Sequence, residues 1–428
     1  MKKVLIISYY WPPNAGVGCR RWVNYSYFLQ KNGIEPILYV PENPEYDNID
    51  NGYEEKIKTI YTLKNKIWEP FSFYKRFLNK KNISPGILID SNKGLKNKFS
   101  KWIRANFFIP DSRLFWINSS VNFLSNFLND NPVDAVISTG PPHSMHLIAL
   151  NLKRRLNLKW IADFRDPWTD IEYFDKLNFW DDSRKRHFNF EKTVLNQSDL
   201  VLTVSESWSK RFAEIGAKRV EFLFNGYDLK EYPTKIIQNK KFRIGHFGLF
   251  NELRDHNSLW EAINIEMKKK HDDRGNNISD NLELFFSGPN HLNFNKNLKQ
   301  RNLYKYLIHR EWLAHDEVLK EMMTSDLLLI TQSKTQDVKG RLPAKFFEYL
   351  GAKRTILGIG DKNSDLAKLI SNLNCGFFHD FNDVKGIGNS IMKSYRDKYI
   401  DGNKKNIDFS IFSWENQSNK LIKILNSL

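Results

Sequence analysis

The sequence predicts an α/β protein built from two doubly wound, Rossmann-like domains that face each other across a cleft. Three observations carry this. Short apolar runs alternate with helix-period segments along most of the chain, the pattern of parallel strands covered by helices. The alternation occurs twice, and the polar, proline-containing stretch Leu229–Lys241 separates the two runs. With 428 residues, 41% hydrophobic and 14% aromatic, the chain is long and apolar enough for two large cores.

Taken in order, the predicted strands of the first run are Val4–Ser8, Pro36–Val40, Ala135–Thr139, Trp160–Asp163, Leu200–Val204 and Val220–Phe224. Helices are predicted near Val17–Lys31, Phe115–Leu128, Ser144–Leu156, Ser183–Asn196 and Ser207–Gly216. Residues 41–110 break the rhythm and read as an irregular insertion. The second run supplies strands at Arg243–Phe247, Leu282–Ser287, Tyr306–Arg310, Leu327–Thr331, Thr355–Ile359 and Gly376–His379. Domain limits follow as 1–228, a linker at 229–241, a second domain at 242–411, and a capped helix at 412–428.

Composition narrows the function classes. No window approaches the run of about 20 apolar residues that crosses a bilayer. Met-Lys-Lys leads directly into a strand pattern, and Tyr9-Tyr-Trp-Pro-Pro offers no small-residue cleavage site, so a cytoplasmic protein is expected. Cys19 and Cys375 fall in different predicted domains and are expected as free thiols. The formal net charge is +16. Between Lys64 and Arg104 eleven basic residues stand against Glu69 and Asp90 alone, an excess of nine. Aromatic residues such as Trp68, Trp102, Phe107 and Phe108 are interleaved with them. This pattern suits an anionic membrane surface, where each basic residue contributes up to about 1 kcal/mol. A solvated loop with some buried aromatics is the plainer alternative, and nucleic acid is not the expected partner.

The stretch Gly340-Arg-Leu-Pro-Ala-Lys-Phe-Phe-Glu348 carries the most chemistry. Leu342, Pro343 and Ala344 open a helix, where unpaired backbone N–H groups bind anions. Lys345 adds a cation, and Glu348 projects from the same face three residues later. A diphosphate at the helix start, with sugar hydroxyls reaching Glu348, would use all of these. A capped surface helix with a Lys–Glu pair is the bland alternative. Other candidates also lie past predicted strand ends, where open parallel sheets bind ligands. They are Gly16 and Gly18 in Asn14-Ala-Gly-Val-Gly, His143 in Gly140-Pro-Pro-His, Asp163 and Asp166 in Asp163-Phe-Arg-Asp, and Gly248 with Arg254 after Arg243–Phe247. Gly16 and Gly18 read equally as a tight strand–helix turn. His143 reads as a donor to a sugar hydroxyl or, when charged, to a phosphate, with His146 as a helix-face residue. The Asp163–Asp166 cluster reads either as a self-satisfied ion-pair network or as an acceptor-hydroxyl site, Asp166 being the better functional candidate. Arg254 suits a diphosphate because its planar fork meets two oxygens at once.

With these residues in view, the chain resembles the family-4 retaining glycosyltransferases of the GT-B fold, bacterial surface-polysaccharide type, over nearly its whole length. The resemblance rests on Lys3–Gly18 as first strand and glycine loop, on Lys159–Trp168 and Ser198–Glu206 as later strands, and on Phe224–Asp228 as the domain junction. It rests above all on Pro343-Ala-Lys345-Phe-Phe-Glu348-Tyr349, a P-x-K-x-x-E-Y variant of the E-x7-E region. The first glutamate of that motif falls on Gly340, so its family role is not carried over. The family's second basic residue after Arg254 is also absent, and Lys345 is the substitute.

The resemblance implies a nucleotide-diphosphate sugar as donor substrate, with no tightly bound cofactor or metal. Gly16, Gly18, Gly248, Arg254, Leu342–Lys345 and Glu348 would bind the donor, while His143 and Asp166 would act at the reacting sugar. Residues 309–312 would wall the base, and the last helix would cross back to the first domain. The acceptor would be a hydroxyl of a glycan, lipid-linked and presented at the inner face of the cell membrane. A nucleotide-sugar epimerase, a dinucleotide enzyme on similar layers, or a non-enzymatic membrane or polyanion binder are the alternatives.

Overall fold

A computed structural model describes the chain except for residues 47–48, 51, 70–101, 172–173, 175–176, 236–237, 270–276 and 402–407. The chain divides into two units. One comprises Met1–Asn225 with Trp414–Leu428, and the other Gly226–Ser413.

The first unit holds a seven-stranded parallel sheet. Its strands are β1 (Lys2–Ile7), β2 (Ile34–Pro41), β3 (Tyr61–Asn65), β4 (Ala135–Gly140), β5 (Trp160–Phe164), β6 (Leu200–Thr203) and β7 (Val220–Phe222). They lie in the order β3-β2-β1-β4-β5-β6-β7. β4 and β5 are buried along their whole length, as parallel strands covered on both faces must be. The helix Val17–Lys31 lays Cys19, Trp22, Val23, Tyr25, Phe28 and Leu29 into the core. The helix Trp414–Asn426 adds Trp414, Leu421, Ile424 and Leu425 to the same core, and Trp414 meets Tyr25 edge-on at 5.4 Å. Gln417 Oε1 accepts from the Phe224 N–H at 3.0 Å, and Lys2 Nζ donates to the Leu425 carbonyl at 3.1 Å. These bonds fix the last helix to the first unit.

The second unit holds a six-stranded parallel sheet: β8 (Phe242–Phe247), β9 (Leu282–Ser287), β10 (Leu307–Arg310), β11 (Leu327–Thr331), β12 (Thr355–Gly360) and β13 (Gly376–Asp380). Its order is β10-β9-β8-β11-β12-β13. Trp260, Phe286, Phe294, Leu329 and Ile391 fill its core. The architecture is thus two doubly wound parallel α/β units, as predicted.

One expectation needs correction. Residues 41–110 are not wholly irregular, because β3 and a short helix, Glu54–Ile57, lie within them. β3 extends β2 in parallel register, from Ile37 opposite Tyr61 to Pro41 opposite Asn65. Its sequence Tyr-Thr-Leu-Lys-Asn buries Leu63 alone, as an edge strand does, so it lacks the apolar run that marks the other strands. Of the eleven basic residues counted there, those at 75, 76, 80, 81, 93, 96, 98 and 101 lie outside the described residues. Cys19 and Cys375 are buried free thiols. Among the described residues no helix is long and apolar enough to cross a membrane.

Candidate functional site

In the second unit the strand order reverses between β8 and β11, and ligands of such sheets bind outside the carboxyl ends at that point. Residues from both sides of the reversal converge there. Gly248 follows β8 with a φ of +93°, a backbone conformation that L side chains rarely adopt. Its N–H donates to the Ser287 carbonyl at 2.7 Å. The chain then runs to Arg254, half-buried, whose Nη1 donates to the Leu249 carbonyl at 3.1 Å.

The next residues hold this loop in place. Asp255 accepts from Trp260 Nε1 at 2.5 Å, His291 Nε2 at 2.9 Å and Asn297 Nδ2 at 3.1 Å, and these bonds outweigh burial to keep its carboxyl below the usual range. His256 Nε2 bonds the Gln332 carbonyl at 2.7 Å and ties the loop after β8 to the one after β11. The positions where a second cation was missed are therefore taken by residues that anchor the loop.

From the β11 side comes the helix Ala344–Ala352, entered through Leu342 and Pro343. Leu342 is buried, whereas Pro343, Ala344, Lys345 and Glu348 are half-buried. The first N–H groups of a helix have no acceptor within it. Lys345 Nζ lies 3.0 Å from His246 Nε2, and a Cβ on Gly248 would stand 3.6 Å from the same nitrogen. Gly248, Lys345 and His246 thus form one cluster. Burial first, then the Arg254 charge, hold the Lys345 amine well below the usual lysine range, and Glu348 opposes them. Arg254 and Glu348 therefore act on the same amine. Tyr232 Oη donates to the Glu348 carbonyl at 2.7 Å and steadies the helix beside that carboxylate. A cavity of about 420 Å³ adjoins the loop after β11, lined by Lys334, Thr335, Val338, Asp361, Asp380 and Phe381.

His246 is the residue that sequence reasoning missed. It is 1% exposed, lies flat over Phe286 at 5.4 Å, and meets Phe250 edge-on at 4.9 Å. The available signal was a histidine near the end of a core strand, two residues before the glycine.

In the first unit the order reverses between β1 and β4. His143 caps the helix Ser144–Leu156 there and lies flat on Trp168, with ring centroids 4.6 Å apart. Trp168 is itself fixed, since its indole N–H bonds His187 Nδ1 at 3.0 Å and its backbone N–H bonds Glu191 at 3.0 Å. His146 turned out to be a core residue. Trp160 Nε1 donates to Ser138 Oγ at 2.8 Å, and Ser138 Oγ hydrogen-bonds His146 Nδ1, also at 2.8 Å. Among the described residues His143 Nδ1 and His146 Nε2 have no hydrogen-bond partner, and both converge on Gly140, where a Cβ would stand 3.0 Å and 2.6 Å from them. Burial keeps both rings neutral, lowering His146 to about 3 and His143 well below its ordinary value. A neutral His143 suits a hydroxyl rather than a phosphate.

The other first-unit candidates separate. Asp163 has a fully buried carboxylate that accepts from Arg21 at 2.9 and 3.1 Å, from Trp22 Nε1 at 2.9 Å and from Thr139 Oγ1 at 2.9 Å. It is a self-satisfied network. Asp166 is half-buried beyond it. Gly16 and Gly18 leave less open space than a ligand loop needs. Asn14 Oδ1 accepts from the Gly16 N–H at 2.7 Å, and the Arg165 guanidinium fills the place where a Gly18 Cβ would stand, 2.0 Å from Nη1. These glycines make room for the protein's own side chains. Arg165 is held in turn by the Gly140 and Pro141 carbonyls.

No family model matches the chain, and no curated protein matches it in sequence. Solved structures do match over its whole length. A sucrose-phosphate synthase from Thermosynechococcus elongatus aligns with a TM-score of 0.64 at 10% identity, covering 100% of this chain and 99% of that one. Anabaena HepE, solved with UDP and glucose, gives 0.63 at 11% identity and covers 100% of both chains. TarM of S. aureus, solved with UDP and alpha-GlcNAc-glycerol among its ligands, gives 0.61 at 13% identity, again with 100% of both chains. At such identities the likeness concerns fold, and the fold is the two-Rossmann GT-B type.

Proposed function

We propose that the protein is a retaining glycosyltransferase that moves a sugar from a nucleotide-diphosphate donor to a glycan hydroxyl. The observation that carries this reading is the convergence of Gly248, Arg254, Lys345 and Glu348 at the strand reversal of the second unit. The reading draws further support from neighbours of the same fold solved with UDP.

Arg254, Lys345 and the helix N-terminus at 342–344 would hold the diphosphate, and Glu348 would accept from the ribose hydroxyls. Charge stabilisation of the leaving diphosphate and positioning of the two sugars would supply most of the rate. The departing phosphate oxygen would take the acceptor proton. His143 and Asp166 would serve the reacting sugar from the first unit. The acceptor in this reading is a lipid-linked glycan of a surface polysaccharide, met at the anionic inner leaflet.

Thermal shift against a panel of nucleoside diphosphates tests the donor site first, because a ligand that binds only the folded state raises its stability. Glu348→Ala is expected to weaken the best binder by about 1–3 kcal/mol, the range for hydrogen bonds at a charged group. Unchanged affinity in both Glu348→Ala and Lys345→Met would remove the site. Donor incubated without acceptor should remain unconverted, and its conversion would instead identify an epimerase.

A further inference from the structure

Lys345 is paired in an unusual way. Its amine is not matched with a carboxylate but rests 3.0 Å from an imidazole nitrogen, Nε2 of His246. The other ring nitrogen, Nδ1, is buried between Phe250 and Phe286 without a hydrogen-bond partner among the described residues. The two possible arrangements of the pair differ sharply in what they leave unmet. An ammonium ion has no lone pair, so a charged Lys345 must donate to Nε2. The imidazole proton is then forced onto Nδ1, a buried N–H with no acceptor, which is among the rarest orphans in folded proteins. A neutral amine can accept instead. His246 then carries its proton on Nε2, donates it to Lys345, and leaves only a bare Nδ1 lone pair among the aromatic rings. The second arrangement leaves no buried ring N–H unmet.

The surrounding charges act in the same direction in the empty site. Arg254 opposes a charge on both Lys345 and His246, and only Glu348, one turn along the same helix, favours one on Lys345. A diphosphate changes that balance. Its oxygens give an ammonium ion acceptors that His246 cannot provide, and its negative charge offsets Arg254.

We infer that Lys345 receives its proton together with the donor: the amine rests neutral on His246 in the empty site, and a proton from solvent adds to Nζ as the diphosphate arrives. No covalent bond forms or breaks beyond the new N–H, and the buffer supplies the proton. Donor affinity should accordingly rise as pH falls across the interval between the empty and the occupied ionisation of Lys345. The inference rests on the donor-site reading above and adds to it a proton-coupled clamp in which His246 is the positioning residue.

Calorimetry on the full chain tests it, using UDP-glucose, ADP-glucose and GDP-mannose. Their diphosphates are diesters with no phosphate proton to lose. Binding heats are compared in two buffers of different ionisation enthalpy at about pH 8, where linkage predicts an uptake approaching about one proton for whichever donor binds. Lys345→Met should abolish the uptake. Binding to the wild-type chain without uptake would overturn the inference and leave the donor site standing. No binding by any of the three would count against the donor site instead. The state of the empty pair is read independently by lysine-selective ¹³C NMR of the ligand-free wild-type chain, the Lys345 signal being the one lost in Lys345→Met. A Lys345 that titrates in the ordinary lysine range would overturn the inference whatever the ligands do.

Discussion

Asp163 and Asp166 stand three residues apart past the same strand, and their surroundings assign them different work. Asp163 spends its carboxylate on Arg21, Trp22 and Thr139, all within the first unit. Removing one member of a buried ion pair costs about 3–5 kcal/mol because the other is left uncompensated. Asp163→Ala should therefore lower unfolding stability by that amount in denaturant titrations, while Asp166→Ala should leave the midpoint near wild type and reduce turnover. Equal stability losses would place Asp166 in the structural network as well.

The neutral histidines add a pH dependence. His146 binds its proton only near about pH 3 when folded but near about pH 6.5 when unfolded. Between those values the unfolded chain holds the extra proton, so stability is fully present above about pH 6.5 and is lost as pH falls, by up to about 1.4 kcal/mol per pH unit for one group. His146→Gln should flatten the slope of unfolding free energy between about pH 6 and 4 relative to wild type. An unchanged slope would show that this ring is already titrated in the folded state. Asp163 and Asp166 were visible in the sequence as one cluster. Their division of labour was not, because it depends on Arg21, which lies 142 positions away in the chain.

At the scale of elements, apolar runs located the buried strands almost to the residue, and Leu282–Ser287 and Leu327–Thr331 agree at both ends. A strand buried on both faces must be apolar throughout, so it announces itself. β3 does not, since one edge and most of its side chains meet solvent. Its neighbourhood is instead held by a polar triad that no local pattern reveals. Tyr9 Oη donates to Glu69 Oε1 at 2.6 Å, and Arg113 Nη2 donates to Tyr9 Oη at 3.0 Å and pairs with Glu69 at 3.3 Å. Glu69, one of the two acidic residues in the basic stretch, is thus held by Tyr9 and Arg113.

The terminal helix illustrates the opposite case, a local pattern with a distant destination. Trp414 is 2% exposed, packs on Tyr25, and enters a core otherwise made by residues before 226. Large-to-small changes at such positions cost about 3–5 kcal/mol. Trp414→Ala should lower the unfolding transition of the first unit by that amount and leave that of the second in place, as followed by hydrogen exchange resolved to peptides. Equal loss of protection in both units would mean that they unfold as one.

For the whole molecule, two doubly wound parallel units were legible because their apolar strands alternate with helical segments along the chain. The pairing of Lys345 with His246 was not legible, because it joins a helix residue and a strand residue 99 positions apart that meet only in the folded unit. Charge is the remaining global property, and it is lopsided: the +16 excess is concentrated in a stretch that lies mostly outside the described residues. What is described at its edges is an aromatic surface. Trp68, Phe107, Phe115 and Trp180 are 59%, 56%, 44% and 49% exposed, and Trp102, Phe107 and Trp180 form a mutual cluster with ring centroids 5.0–5.8 Å apart. Large aromatic side chains left in water beside lysine and arginine gain by entering a lipid interface, where charge supplies a reversible attraction and the rings supply the hold. The two contributions can be separated by experiment. Co-sedimentation with anionic liposomes should weaken as salt rises, because screening shortens the reach of the charges. It should weaken at fixed salt in a Phe107→Ser, Trp180→Ser double variant, because only burial of the rings has been removed. Equal binding to neutral and anionic vesicles would deny the role of charge. A double variant that binds anionic vesicles as well as wild type would leave these rings as a surface feature with no part in attachment.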